Sequence, residues 1–432
     1  LKPIWRAMLA SNVFELYDPE PEPEAQEWNA DIARNIDYEI PFPCLARDIQ
    51  QWIISTSIKR QPALAFAATI AVLSTVYGRS HSLDGIKGNV MLLCLADSAE
   101  GKDWPLKAAG KLLDSCGYGD NIHGQMASGA ALVDAVVEHP NSLLALDEIG
   151  HYFSSINCKT SNQYSREIMP IITRMYTDSS DVFREKGRKD KPGRVIREPN
   201  LCVLGMTTER QILDSLKSTE VMDGSLARFL VIFGDKNVPH SRGRVRNKNV
   251  PEPIADALKD RKDLFSMAND FRSRELNVSE DYLAEKDLQD DSFHYLSVQM
   301  DKDGGDRAVF KTLYKRVAVM ALQLAMLIDD AQDVAVYDWC ISIVVQSADV
   351  FIKKFMHMCA DNDNERYSKI LQRVIKEAGK DGITRRDLTR RTQAINPSLK
   401  KQLLFEFLDT GLIFERLEPC GQRPITRYFW RK

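Results

Sequence analysis

Four short apolar runs, Val90–Leu95, Leu143–Leu146, Leu201–Met206 and Phe229–Phe233, are strung along the chain with helical patterns between them. Runs of this length without polar alternation belong to strands buried on both faces, and parallel strands need helical crossovers between them. The expected fold class is α/β, with a largely parallel, helix-covered sheet.

The flanking segments extend this reading. From Ile49 the pattern turns helical, and Pro62 in a first turn opens an apolar run that ends at Tyr77-Gly78, with Gly as the cap. That helix is apolar nearly all round and is expected to be buried. Residues 240–300 are mixed and charged, without one dominant period. Leu313–Met326 and Trp339–Met358 read as helices. The end of the chain then offers helices at Lys369–Ala378, Arg385–Thr392 and Pro397–Thr410 and strands at Ile413–Leu417 and Ile425–Trp430, the order of a winged helix-turn-helix. The expected domains are a lead-in arm (1–40) containing the stiff, self-repelling YDPEPEPEAQEW stretch, a core with N-terminal helices (41–240), a helical subdomain (241–360) and a winged helix (361–432).

Net charge is only -3 over 432 residues, yet Arg366–Lys432 holds sixteen Lys and Arg against seven Asp and Glu. The tail thus carries +9 and the remainder -12, which points to a basic module for nucleic acid or another polyanion on an acidic body. The apolar stretches Pro62–Tyr77 and Val317–Ile328 fall short of a bilayer span, so no membrane segment is expected. Eight cysteines without a C-x-x-C pair, several inside apolar runs, suit a reducing, cytoplasmic setting. The first residue is Leu1 with no secretion leader after it, as in an excised piece of a longer polypeptide.

After the first strand, Ala96–Asp103 reads ADSAEGKD and leads into a helix. A phosphate-binding loop of the G-x-x-x-x-G-K-[ST] type works there because backbone N–H groups and a helix N-terminus wrap the phosphates while Lys reaches the outer ones. Gly101 and Lys102 match, Ala96 replaces the first Gly, Ser98 lies within the loop, and Asp103 takes the place of the hydroxyl that ligates magnesium. The second strand ends in Asp147-Glu148, where a carboxylate can hold Mg²⁺ and the next Glu can polarise water. Strand, G-K, helix, strand and D-E in one sheet are expected to make an ATP and Mg²⁺ site with Asp147 and Asp103 as metal ligands and Glu148 as the catalytic carboxylate, the alternative being an ordinary strand-loop-helix turn with a solvated Lys and a solvated D-E loop. Thr207 and Thr208 at the third strand end suit a γ-phosphate sensor, or plain strand-end threonines. Arg228, before the fourth strand, suits either a finger completing a neighbour's site or a structural ion pair. His151 and Cys158 lack partners at metal spacing and are assigned to structure.

Two basic segments suit DNA. Arg184, Lys186, Arg188, Lys189 and Lys191 lie in an insert around Lys191-Pro192-Gly193, read either as a pore loop for single strands or as a solvated hairpin. In the tail, Arg385, Arg386, Arg390 and Arg391 line one helix and Lys400 and Lys401 open the next, a set suited to duplex phosphates.

Taken with their order, the segments PALAFAATIAVLSTVYGR, EGKD-W-P, LLALDEIGHYF, PNLCVLGMTT, DGSLARFLVIF and LYKRVAVMALQLAML resemble the YfjI-like P-loop family of phages, prophages and other mobile elements. The resemblance covers roughly residues 50–360. It implies a P-loop NTPase core of AAA+/RecA type and an ATP-dependent DNA helicase or helicase-like ATPase of replication. It also implies Asp103 as a family habit and, since members are often fused to primase-polymerase domains, leaves open a primase domain upstream of Leu1. The expected assembly is a homo-oligomeric ring, a hexamer, gripping single-stranded DNA. The rival expectation is an ATP-switched DNA-binding initiator or regulator that does not unwind.

Overall fold

The computed structural model describes residues 36–150, 152–153, 166–187, 192–215, 226–241, 248–263, 273–303, 311–329, 333–355, 363–393, 395–418 and 425–431. Helix α1 (Leu45–Thr56) is followed by α2 (Pro62–Tyr77), which opens on its proline and buries every residue from Ala63 to Tyr77. Each fully buried Leu, Ile or Phe on it contributes about 1.5–3 kcal/mol. Tyr38 and Ile40 are buried, and both are tied through backbone hydrogen bonds to the buried Gln50 side chain.

Five parallel strands form the central sheet: β1 (Met91–Leu95), β2 (Ile122–His123), β3 (Asn141–Leu146), β4 (Asn200–Thr207) and β5 (Phe229–Phe233), in the order β2-β3-β4-β1-β5. Four are the predicted ones. The fifth, β2, is two residues long and has no apolar run to announce it. Helix α3 (Asp103–Ser115) follows β1, α4 (Gly129–Glu138) joins β2 to β3, α5 (Ile168–Thr177) lies between β3 and β4, and α6 (Glu209–Ser215) follows β4. The chain leaves β1 toward β2 and leaves the adjacent β4 toward β5, in opposite directions. Such a reversal opens a crevice at the carboxyl ends of the two strands, where α/β sheets bind ligands.

Beyond the sheet come α7 (Glu252–Asp263), the 24-residue α8 (Glu280–Asp303), α9 (Lys311–Ile328) and α10 (Val334–Phe355). Gln323, the polar interruption of α9, is buried because it donates to the carbonyls of Lys87 (3.0 Å) and Asn89 (2.7 Å) and accepts from Tyr176 (2.7 Å). By length and composition alone, one described helix, Val334–Lys354, is long and apolar enough for a membrane span, a test that a buried core helix also meets. Here α10 packs against α9 and the sheet strand β5, and Ser347 donates to the Val231 carbonyl.

The tail folds around its own core of Leu371, Ile375, Ile383, Leu388, Leu403 and Ile413. It comprises α11 (Asp363–Glu377), β6 (Ile383–Thr384), α12 (Arg385–Arg391), α13 (Pro397–Asp409), β7 (Ile413–Glu418) and β8 (Ile425–Trp430). The three strands form an antiparallel sheet in the order β6-β8-β7. Thr384 caps α12 by accepting from the Asp387 N–H (3.0 Å), and Asn396 with Pro397 starts α13.

Candidate nucleotide site

The segments after β1, β3, β4 and β5 meet at the carboxyl edge of the sheet, because Leu95 is in register with both Thr207 and Phe233. Lys102 ends the loop after β1. Its side chain is buried, and its Nζ lies 3.3 Å from Oε1 of Glu148 in the turn after β3. Glu148 holds a left-handed backbone, φ 56°, and its Oε2 is buried without a hydrogen-bond partner. Strain of this kind persists only where the surroundings impose it. They do so through two glycines. A Cβ on Gly150 would stand 2.7 Å from Thr207 Oγ1, and one on Gly205 would collide with Ile149, so the turn carrying Asp147 and Glu148 rests directly on β4.

Ala96 does not start a left-handed turn. Its N–H continues the sheet by donating to the Thr207 carbonyl (3.0 Å), and the left-handed positions come later, at Ala99 (φ 65°) and Gly101 (φ 88°). Ser98 and Asp103 are exposed, and Asp103 is the first residue of α3, where the helix dipole favours a carboxylate.

Three residues that sequence reasoning left out hold this loop. Buried Gln61 donates to the carbonyls of Glu100 and Asp235 (both 2.9 Å) and accepts from the Asp235 N–H (2.9 Å). Glu100 binds Lys59 Nζ (3.0 Å) and accepts from the N–H groups of Asn237 (3.2 Å) and Val238 (3.1 Å). The Lys59 hydrogen bond, with those backbone donors, holds the Glu100 carboxyl below its ordinary range, whereas burial pushes Asp235 up. The clamp thus ties the loop after β1 to the segment after β5. The sequence signal available was Gln61 itself, a polar residue directly before an apolar helix.

The threonines are engaged locally. Thr207 is fully buried and donates to Gln211 Oε1 (2.6 Å), and Thr208 Oγ1 accepts from the Gln211 N–H (3.3 Å) at the start of α6. Lys236 adds a cation beside the loop, 3.7 Å from Asp97 and from Glu209.

Arg228 is not brought to this cluster. It immediately precedes β5, at the amino edge, and donates to Thr177 Oγ1 (3.4 Å). Five residues of strand, about 16 Å at ~3.3 Å each, separate it from the carboxyl edge. The basic insert shares that amino edge. Val182–Arg184 pairs antiparallel with Val195–Arg197, with Phe183 and Ile196 buried and Arg184, Lys186 and Arg197 exposed. Arg188, Lys189, Lys191, His151 and Cys158 lie outside the described residues. Arg194 is committed to Glu185 (2.6 and 2.7 Å) and to Asp134 of α4. The hairpin base rests on the buried pair Lys87–Glu198 (2.6 Å) and on Arg79, which donates to the carbonyls of Arg197 and Glu198.

In the tail, Arg385, Arg386, Arg390 and Arg391 are exposed along α12, with Asp387 3.2 Å from Arg390. Lys401 is exposed. Lys400 differs from its neighbour: it is buried at 8 % exposure, and desolvation lowers its pKa.

Among the described residues no three His, Cys, Asp or Glu side chains gather closely enough to hold a metal by themselves. Magnesium with nucleotide does not require that, since it takes one or two carboxylates and completes its shell with phosphate oxygens and water. The exposed Asp147 and Asp103 fit such a use. A cavity of about 510 Å³ lies elsewhere, between α4 and β2, lined by His123, Asp134, Glu138 and His139 among others. Comparison with protein-family models and with curated proteins gives no match.

Proposed function

We propose that the chain is a P-loop ATPase that couples ATP hydrolysis to movement on DNA in the replication of a phage, prophage or other mobile element. The observation that carries this reading is the Lys102–Glu148 pair at the reversal point of a parallel sheet. In the absence of phosphate the buried ammonium is matched by Glu148. With ATP and Mg²⁺ bound, Lys102 would meet the outer phosphates and Glu148 would orient the attacking water, while Asp147 and Asp103 would hold the metal. Thr208, with Gln211 fixing Thr207 behind it, monitors the γ-phosphate. Magnesium supplies charge neutralisation between the phosphates.

The tail is a winged helix whose α12 arginines and Lys401 meet duplex phosphates. The hairpin at the amino edge carries Arg184 and Lys186 toward a single strand, with Arg188, Lys189 and Lys191 in the same insert. Arg228, on that same edge, completes the site of a neighbouring copy in a homo-oligomeric ring, a hexamer. The second reading, an ATP-switched DNA-binding initiator, is favoured by one observation: Asp103 stands where a magnesium-binding hydroxyl is usual. Unwinding of a forked DNA duplex separates the two. Strand separation that disappears in Lys102→Ala supports the motor, and ATP-dependent duplex binding without unwinding in the parent chain supports the switch. Loss of neither binding nor hydrolysis in Lys102→Ala overturns both.

A further inference from the structure

Lys236 stands in the segment after β5, between two residues that the Gln61–Glu100 clamp holds. Gln61 binds both the N–H and the carbonyl of Asp235, and Glu100 accepts from the N–H of Asn237. Asn237 takes a left-handed backbone, φ 56°, a conformation that asparagine adopts more readily than most residues and that these hydrogen bonds impose. The backbone is thus fixed on both flanks of Lys236, while its side chain is 44 % exposed and has room to move.

The Lys236 ammonium bridges two other segments of the carboxyl edge. Its Nζ lies 3.7 Å from Oδ2 of Asp97, in the loop after β1, and 3.7 Å from Oε1 of Glu209, the residue that follows Thr208. Both separations exceed an ordinary hydrogen bond. Glu209 has a closer partner in Lys354 of α10, at 2.6 Å, and the Asp97 side chain is 51 % exposed to water. Lys236 can therefore leave both carboxylates without stranding a buried charge, which makes its departure cheap. Lys102 differs, being buried and opposed by Glu148.

We propose that Lys236 is a second phosphate-binding residue of this site and meets the terminal phosphate of ATP. The inference rests on the ATPase reading and adds to it a residue that separates ATP from ADP. Charge supplies the reason. Between Ala96 and Asp103 the loop carries Asp97, Glu100 and Asp103 against Lys102, so it is a poor host for a further anionic group unless another segment brings a cation. A phosphate oxygen accepts a short, charge-assisted hydrogen bond from an ammonium, a better contact than either carboxylate at 3.7 Å. The bridge to Glu209, directly after the threonines of the proposed γ-phosphate sensor, assigns Lys236 to the outermost phosphate and not to the inner ones.

Equilibrium binding of ATP and of ADP, each with Mg²⁺, to the full chain tests the inference. Lys236→Met keeps the aliphatic stem and removes the charge. It is expected to weaken ATP binding by about tenfold or more and ADP binding by less than about twofold. Lys236→Gln should behave in the same way, and Lys236→Arg should keep most of the ATP affinity because it restores the cation. ADP binding by the same variants reports that the loop is still folded. A purely structural lysine would act through the loop that both nucleotides share and would weaken the two alike. Equal losses for ATP and ADP, or no loss for either, overturn the inference and leave the ATPase reading standing. A parent chain that binds neither nucleotide overturns that reading and the inference with it.

Discussion

Lys102 and Glu148, 46 residues apart in the chain, bring Nζ and Oε1 to 3.3 Å across the end of β4, the strand that separates their own. On the proposed reading the two have separable duties. Glu148→Gln should retain ATP binding, since Lys102 still meets the phosphates, and should cut turnover by at least about a hundredfold. Nucleotide titration and single-turnover hydrolysis check this. Turnover within about twofold of the parent would remove Glu148 from the chemistry.

The Glu100 clamp has a pH signature. Its carboxyl is held below the ordinary value by Lys59 and by the amides of Val238 and Asn237. A carboxylate lowered in the folded state adds stability above its unfolded pKa of ~4.3, and this is lost as pH falls through the lowered value. The parent should therefore lose more stability than Glu100→Gln between neutral pH and acid. Urea midpoints for both chains at several pH values report it, and parallel curves would mean that the clamp contributes nothing.

Lys87 and Glu198 form a pair with side chains 1 % and 7 % exposed beneath the basic hairpin. Lys87→Met takes the nearest cation from a buried carboxylate that still accepts from the Ser273 N–H (3.1 Å) and should cost about 3–5 kcal/mol, with part of the loss recovered by adding Glu198→Gln. Denaturant unfolding of the single and double variants measures both. A single-variant loss below about 1 kcal/mol would show the pair to be dispensable.

Replacing Arg385, Arg386, Arg390 and Arg391 by Ala should weaken duplex binding and flatten its salt dependence, by ~0.9 in log–log slope for each phosphate left without its arginine. Adding Lys400→Ala should leave the slope where it is, because that lysine is buried. An unaltered slope in the four-arginine variant would assign the tail to protein contacts.

How much was legible follows from what each element depends on. Helix α2 is apolar on every side and opens on a proline, so Pro62–Tyr77 emerges with its bounds intact. The buried strands β1, β3, β4 and β5 declare themselves by unbroken apolar runs. Strand β2 does not, because two residues make no pattern and Ile122–His123 is a strand only by pairing with Leu143 and Leu144. Helix α8 was hidden for another reason: its apolar residues sit on both faces, so no single stripe stands out in the sequence. At the site, Lys102 and Glu148 follow from spacing. Gln61, Glu100 and Gln211 do not, since their roles arise from loops that meet only in the folded chain. The burial of Lys400 is not legible either, because charge is visible in a sequence and desolvation is not.

The sheet is also a divider of labour. Lys102 and Glu148 occupy its carboxyl edge and Arg228 its amino edge, so on the ring reading each copy holds one half of two different sites. Two inactive chains should then repair each other. Lys102→Ala and Arg228→Ala, each silent alone, should on mixing recover about a quarter of the parent hydrolysis rate, the fraction of junctions that unite an intact lysine with an intact arginine. Absence of recovery in subunits shown to exchange would return Arg228 to a purely structural place beside Thr177. Selection on such a molecule acts on the junction between copies, and neither copy alone holds the unit that works.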